Sequence, residues 1–409
     1  MKKIYVFLLT IATIVIGAVV WQYLLCPQLT FKRAEPFHGE KLYNPYADIS
    51  SSNWVKCNFH AHVKAWGGLT NGNGSAKHLA KLYGDIGYDV PCISDYQKIN
   101  TDLSDQRNFI SAYEHGYNIG KVHQLVIGAD KVTWADFIFP QTRSNKQWIL
   151  DRLSGNGSAV ILNHPESRSG YNSTDVSLLR GYDCIEIMTS KSRGFAVWDA
   201  ALSSGVPCFG VANDDVHNLG EHSLAGSFCT WLSISELTKE NLITSLKMGK
   251  GYSVRTGITE NDSHAEKIVK MKKGIHSLKK FTLAGDTLTV EFSDTAHTIQ
   301  FIAQNGRIVK TDTCTSVAKY IIRKEDQYVR TAAWFKGGIE IFLNPVFRYS
   351  TDPLHVDNNI VVNNGKTLVF RCTGILLLII WAWILAKRKV AFKVLALKRK
   401  SYHIRPSGI

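Results

Sequence analysis

Residues 55–63 read Val-Lys-Cys-Asn-Phe-His-Ala-His-Val. In an extended strand side chains two apart share a face, so Asn58, His60 and His62 point one way while Cys57, Phe59 and Ala61 point the other. Two imidazoles at that spacing can grip one cation through ring nitrogens about 2 Å away, and imidazole suits zinc, iron and manganese. The same pair could equally be hydrogen-bonded histidines beside a sheet, so what converges on them decides. Further along, apolar strand-like runs end in more donors. Asp95 closes one run (Ile-Ser-Asp-Tyr), Asp130 the next (Ile-Gly-Ala-Asp) and His164 a third (Leu-Asn-His-Pro). Glu186 lies in a fourth run that leads to Lys191 and Arg193, and Asp215 and His217 follow a fifth (Ala-Asn-Asp-Asp-Val-His). Any one of these has a structural alternative, but imidazoles and carboxylates brought to one rim by several strands make a metal site.

The elements that would carry them alternate. Strand-like runs are predicted at 55–60, 88–94, 123–129, 158–163, 182–188, 206–212 and 226–233, and helix-like segments at 75–86, 104–119, 146–153, 174–180, 195–203 and 238–248. Strand and helix in alternation argue for a parallel sheet with helices outside. Seven such strands predict an α/β fold with a distorted seven-stranded barrel over 55–257, whose chemistry collects at the carboxyl ends of its strands. After Gly257 the pattern shifts to short alternating strands with turn signals such as Gln-Asn-Gly and no convincing helix over 267–347. This predicts a small β-sandwich-like domain at 258–350, with a linker at 351–366.

The His-x-His opening, the Ser-Asp at 95, the His-Pro at 164 and the Asp-x-His at 215 resemble the PHP (polymerase and histidinol phosphatase) family over residues 55 to about 257. The resemblance implies a distorted seven-stranded barrel that hydrolyses phosphoesters with two or three divalent metal ions such as manganese, zinc or iron. Transferred position by position, it implies a first metal held by His60, His62, Asp130 and Asp215. Asp130 would bridge to a second metal that His164 also binds, and Asp95 and His217 complete the metal candidates. The chain departs from the pattern in several places. Asp130 stands where a longer glutamate is usual, Tyr96 replaces a histidine of the third metal, and Gly67 and Gly68 lie where another of its ligands is expected. No histidine between Asp130 and Asn163 completes the second metal. One or two ions are therefore expected, with His217 alone left for a third. Lys64, Arg168, Lys191 and Arg193 lie just past strand ends, where they could clamp phosphate. Tyr96 could hydrogen-bond a phosphate oxygen in place of the missing metal ligand.

At 409 residues the chain has the composition of a globular protein. Residues 4–25 hold no charge and are long enough to cross a bilayer, which takes about 20 apolar residues. A second stretch, 368–386, is broken only by Arg371, whose long side chain is expected to reach back to the headgroups. Residues 1–25 read as an N-terminal anchor, 26–54 as a connector, 367–386 as a second membrane helix and 387–409 as a basic tail. Lys2, Lys3 and the tail from Lys387 to Arg405, which contains no acid, hold most of the net charge of +14. The positive-inside rule puts both termini in the cytoplasm and the folded region outside. Positive charge that flanks membrane is not the footprint of a nucleic-acid polymer, so the bilayer is the expected partner. Eight cysteines without a Cys-x-x-Cys pair, five of them in apolar runs, predict neither a disulfide framework nor a zinc ribbon.

Three activities fit this sequence. The first is a metal-dependent phosphoesterase acting on a small or surface-linked phosphoester. The second is a barrel retained as a binding or scaffolding module after loss of turnover. The third is a metal-dependent hydrolase of another ester or amide.

Overall fold

The strand Trp54–Asn58, which leads to the first two histidines, lies inside an 11-stranded sheet. It pairs antiparallel with Phe228–Ser233 (Thr230 opposite Cys57) and parallel with the short Val90–Pro91. Beyond Phe228–Ser233 the sheet continues through Gly251–Thr256, Ile339–Leu343, Tyr328–Trp334, Thr287–Ala303 and Leu278–Ala284. This computed structural model describes residues 2–49, 54–274, 276–356 and 359–402. Parts of the expected connector (50–53), linker (357–358) and basic tail (403–409, with Arg405) lie outside the described residues, as do the side chains of Lys2 and Lys3.

A second sheet of five strands runs in the order Ala112–His115, Gln124–Ile127, Ala159–Leu162, Cys184–Met188, Phe209–Ala212. Every residue in these strands is buried, as in a sheet covered on both faces, and they show no alternating pattern of burial. The last two pairings are parallel and the first two antiparallel.

Two expectations need correction here. The strands of this region pair into two sheets with mixed parallel and antiparallel pairings, linked by the single bridges Ala61–Val216 and Tyr96–Glu114, rather than into one parallel sheet. The stretch 104–119, expected to be a helix, instead holds the strand Ala112–His115. Gly116 follows it with φ +128, where a Cβ would lie 2.5 Å from the His123 ring, so only glycine allows the chain to turn there.

Several expected helices form, most with a capping side chain. Ser75 accepts from the His78 N–H at the start of Ala76–Asp85, and Thr238 caps Lys239–Lys247 in the same way. Thr142 and Asn145 make a reciprocal capping box at Arg143–Leu153, as do Asn172 and Asp175 at Ser173–Leu178. Phe195–Ser203 forms over the expected residues and buries Trp198 and Leu202. The core they cover is shared with the later strands. Leu79 and Tyr83 of the first of these helices belong to one buried apolar cluster with Val254, Phe292, Phe301 and Ile341.

The sandwich expected after Gly257 takes a different form. Ile339–Leu343 pairs antiparallel with Gly251–Thr256, Tyr252 facing Leu343, so strand pairing carries across residue 257 in one sheet. A helix, His264–Lys272, capped by Ser263 and Glu266, also stands where few helical signals were visible. The Gln-Asn-Gly turn behaves as predicted. It joins strands of 17 and 15 residues, Thr287–Ala303 and Arg307–Ile321, with Asn305 at φ +60.

By compactness, Phe31–Asn359 forms one unit, and Met1–Thr30 with Ile360–Ile409 forms another. In the latter, the helices Lys2–Leu25 and Asn364–Tyr402 contain apolar segments, Phe7–Leu25 and Asn364–Lys387, long enough to cross a membrane. Arg371, the one charge within 368–386, finds partners in the protein. Its guanidinium donates to the carbonyls of Leu24 (2.9 Å) and Leu25 (3.3 Å), which have no partner further along their own helix. Among the described residues no disulfide bond forms. Cys57, Cys92, Cys184, Cys208 and Cys229 are buried among apolar neighbours.

Candidate metal centre

Short bridges between the ends of these strands assemble the site. The His62 N–H donates to the Val216 carbonyl at 2.9 Å, and Ala61 and Val216 form a parallel bridge, so the segment after the first strand lies beside Asp215 and His217. Tyr96 forms a parallel bridge with Glu114. Asparagines pin the backbone between them: Asn58 accepts from the Asp214 N–H and Asn213 from the Phe59 N–H.

Glu114 lies at the centre of the cluster. Its Oε2 faces His62 Nε2 at 3.2 Å and His60 Nε2 at 3.4 Å. Its Oε1 faces His123 Nδ1 at 2.7 Å and His164 Nε2 at 3.3 Å. One carboxylate thus presents an oxygen to each of two imidazole pairs. Asp215 supplies a second acid, with Oδ1 3.1 Å from His217 Nε2 and 3.4 Å from His60 Nε2. Its Oδ2 accepts from Lys191 Nζ at 2.8 Å. Glu186 orients the first ligand: Oε1 lies 3.0 Å from His60 Nδ1, and Oε2 accepts from the His164 N–H at 2.8 Å. A carboxylate behind an imidazole in this way fixes the tautomer and aims the other nitrogen.

Four overlapping groups place one donor atom each within 4.8 Å of one another: His60, His62 and Glu114; Glu114, His123 and His164; His60, His164 and Asp215; and His62, Asp215 and His217. Buried polar atoms in folded proteins normally have hydrogen-bond partners. Here His60 Nε2, both ring nitrogens of His62, Glu114 Oε2, His164 Nδ1 and His217 Nδ1 are buried with none. Orphaned nitrogens and oxygens aimed at common points fit divalent cations, with nitrogen and oxygen donors in the proportions that zinc, manganese or iron accept.

The electrostatics agree. Burial opposes charge on His60, but Asp215, Glu186 and Glu114 outweigh it and hold the imidazolium well above its usual pKa. Burial, with His217 and His60 adding to it, pulls His62 down to about 4 despite the Glu114 carboxylate beside it. Burial would raise Glu114 and Asp215, yet the neighbouring imidazoles, His123 and His60 for Glu114 and His60 and His217 for Asp215, hold both below the carboxylate range. Asp215 at φ +49 and His164 at φ +25 also adopt the left-handed backbone region. Such strain in residues other than glycine concentrates at functional sites.

Of the residues singled out in the sequence, His60, His62, His164, Asp215 and His217 meet in this cluster. Tyr96 joins it, its ring stacked 4.6 Å from His62, and burial followed by the Glu114 charge drives its phenol pKa upward. Asp95 is buried, but its oxygens are taken by the Val63 N–H and the Asn100 amide, so it shapes the loop rather than offering a donor. Asp130 does not bridge metals: it is exposed and paired with Lys239 at 2.8 Å. Its strand, Gln124–Ile127, runs antiparallel to both neighbours, so the rim lies at that strand's start and His123 reaches it instead. Lys64 is exposed on the loop after His62, and exposed Arg168 reaches the Ile119 carbonyl at 3.5 Å. Arg193 pairs with Glu340 at 3.3 Å.

Sequence reasoning missed Glu114 and His123. Glu114 lies inside Ile-Ser-Ala-Tyr-Glu-His, where one acid in an apolar run was a usable signal. No protein-family model and no curated protein matches the chain. A solved structure from Bacteroides vulgatus, a two-domain protein containing a predicted PHP-like metal-dependent phosphoesterase, aligns over 82% of this chain and 95% of its own. Its sequence identity is 10% and its TM-score 0.36.

Proposed function

We propose that the chain is a membrane-anchored, metal-dependent phosphoesterase whose folded region faces away from the cytoplasm. The observation that carries the reading is the Glu114 carboxylate, one oxygen turned to His60 and His62 and the other to His123 and His164. A carboxylate so placed could serve two cations. His60, His62, Glu114 and Asp215 would hold one, Glu114, His123 and His164 another, and His62, Asp215 and His217 offer donors to a third. Divalent ions bound there supply hydroxide from water near neutral pH and offset charge on phosphoryl oxygens.

The chain's own groups do the rest. Lys191, exposed at the rim with its ammonium on Asp215 Oδ2, can meet a phosphoryl oxygen as a point charge. Tyr96 offers a phenol that its surroundings keep protonated, which suits a hydrogen-bond donor to the substrate. Glu186 keeps His60 aimed. The scaffolding alternative drew on an incomplete ligand set. Glu114 and His123 supply donors that the sequence count lacked, which favours turnover.

Full-length chain purified in detergent, loaded with manganese or zinc and given an aryl phosphate, tests the reading. Metal-dependent hydrolysis lost in Glu114→Gln is expected. Bound metal with no turnover on any phosphoester would sink the reading and restore the scaffold.

A further inference from the structure

A cavity of about 790 Å³ opens beside the cluster, within the size range that takes a small organic ligand. Lys191 lines it and also donates to Asp215 Oδ2, so the cavity begins at the outer oxygen of a donor carboxylate. Arg193 and Arg255 stand in its wall, and both reach Glu340, at 3.3 and 2.9 Å. Two guanidiniums on one carboxylate leave an excess positive charge and more N–H donors than that carboxylate can accept. The pair is held on rigid elements. Arg255 sits in a strand opposite Phe228, Arg193 lies 5.7 Å over the Phe228 ring, and Met188 and Arg193 form an antiparallel bridge.

Ser192 and Ser227, 9% and 2% exposed, also line the cavity, and both hydroxyls are buried without a hydrogen-bond partner. A buried hydroxyl left unpaired is a donor that a ligand would use. Glu166 and Glu260, both exposed, add carboxylates to the lining that are able to accept from hydroxyl groups.

We infer that this cavity binds the part of the substrate remote from the reacting phosphate, and that this part carries a second anionic group on a hydroxylated frame. A sugar or polyol bisphosphate has that chemistry. The inference rests on the phosphoesterase reading for what happens at the metal centre, but the Arg193–Arg255 anion site can be measured without it. The metal-free full-length chain in detergent is titrated calorimetrically with fructose 1,6-bisphosphate and, separately, with neutral fructose. The bisphosphate is expected to bind and the neutral sugar not. Arg255→Gln and Arg193→Gln should each weaken the bisphosphate about tenfold, and added salt should weaken it further in the native chain. If one variant fails to show a native melting transition, the other gives the same reading.

Native affinity in both variants, or fructose binding as tightly as the bisphosphate, overturns the assignment. Turnover of an aryl phosphate by the manganese-loaded native chain is a separate measurement. Its absence beside an intact arginine effect would count against the phosphoesterase reading and leave the anion site standing.

Discussion

Two buried acids in this chain are surrounded by partners in opposite ways. Asp199 accepts from the Tyr328 hydroxyl and Arg330 Nε on Oδ1, both at 2.8 Å, and from Arg330 Nη2 at 2.6 Å on Oδ2. Glu114 is buried more deeply still, yet its Oε2 faces imidazole nitrogens that offer it no hydrogen bond. Both satisfy the rule that a buried charge needs company, but the company differs. Both oxygens of Asp199 are filled by donors held between a helix and the strand Tyr328–Trp334, with Arg330 Nη1 left over. Glu114 Oε1 accepts from the Asn163 amide at 3.1 Å, but Oε2 and the ring nitrogens it faces are left unpaired, and that side of the cluster is complete only when something positive joins it. A carboxylate whose oxygens are both filled supports a fold, whereas one turned to several orphaned ring nitrogens is a place for a ligand.

The largest test exchanges charge for shape at Glu114. Glu114→Gln keeps the volume and removes the shared negative charge. Metal content by elemental analysis should fall to one ion per chain or fewer, and aryl-phosphate turnover should drop by more than the roughly 10–100-fold typical of partners behind the ligands. Asp130→Asn, exposed and paired only with Lys239, should stay within about twofold of native turnover. Equal losses in the two variants would erase the distinction drawn above.

Asp199→Ala should show the reverse pattern. It strands the Arg330 guanidinium inside the protein, a change that costs about 3–5 kcal/mol when a buried pair is broken. Melting should fall clearly, while metal per folded chain stays at the native value. Chelation should then sort the two acids by a smaller effect. Ligand at a hundredfold its dissociation constant contributes about 2.7 kcal/mol, so metal removal should lower the melting temperature of native and Asp199→Ala chains alike. Glu114→Gln should lose much of that increment. An Asp199→Ala chain indifferent to chelator would mean that the two clusters are coupled.

How far the sequence revealed this site follows from the direction of its strands. His60, His62, His164, Asp215 and His217 were legible because each follows a strand whose carboxyl end reaches the rim. Where strands run parallel, as Ala159–Leu162, Cys184–Met188 and Phe209–Ala212 do, that logic holds. It fails for Gln124–Ile127, whose antiparallel pairing puts His123 at the rim and sends Asp130 to the surface. Nothing in a fully buried apolar run declares its direction, since alternation is absent on both faces. Glu114 was hidden for a related reason. Its strand is four residues long, and the polar residues around it read as a helix until its pairing with Gln124–Ile127 is known. The continuous sheet past Gly257 was also invisible, because the pairing of Gly251–Thr256 with Ile339–Leu343 joins residues far apart in sequence.

Lys56 supplies a third kind of buried charge, and the smallest of these tests. It is 3% exposed, its ammonium donates to the Ile86 carbonyl at 3.2 Å, and it sits 3.9 Å over the Tyr88 ring. Burial lowers its pKa from 10.5, and the charges of Cys229, Asp214 and Asp89 restore only part of the loss. Between the depressed folded value and 10.5 the unfolded chain binds more protons than the folded one, so this residue's contribution to stability rises with pH across that window. It is constant, and unfavourable, below the folded value. Lys56→Met keeps the apolar stem and removes the charge. The variant should therefore melt higher than the native chain at pH 7, by an amount on the order of 1 kcal/mol. That advantage should shrink toward pH 10.5. Ionising thiols and phenols are common to both chains and cancel in the difference. A Lys56→Met chain that melts well below native at pH 7 would place Lys56 with Asp199, among the charges whose partners hold the fold together.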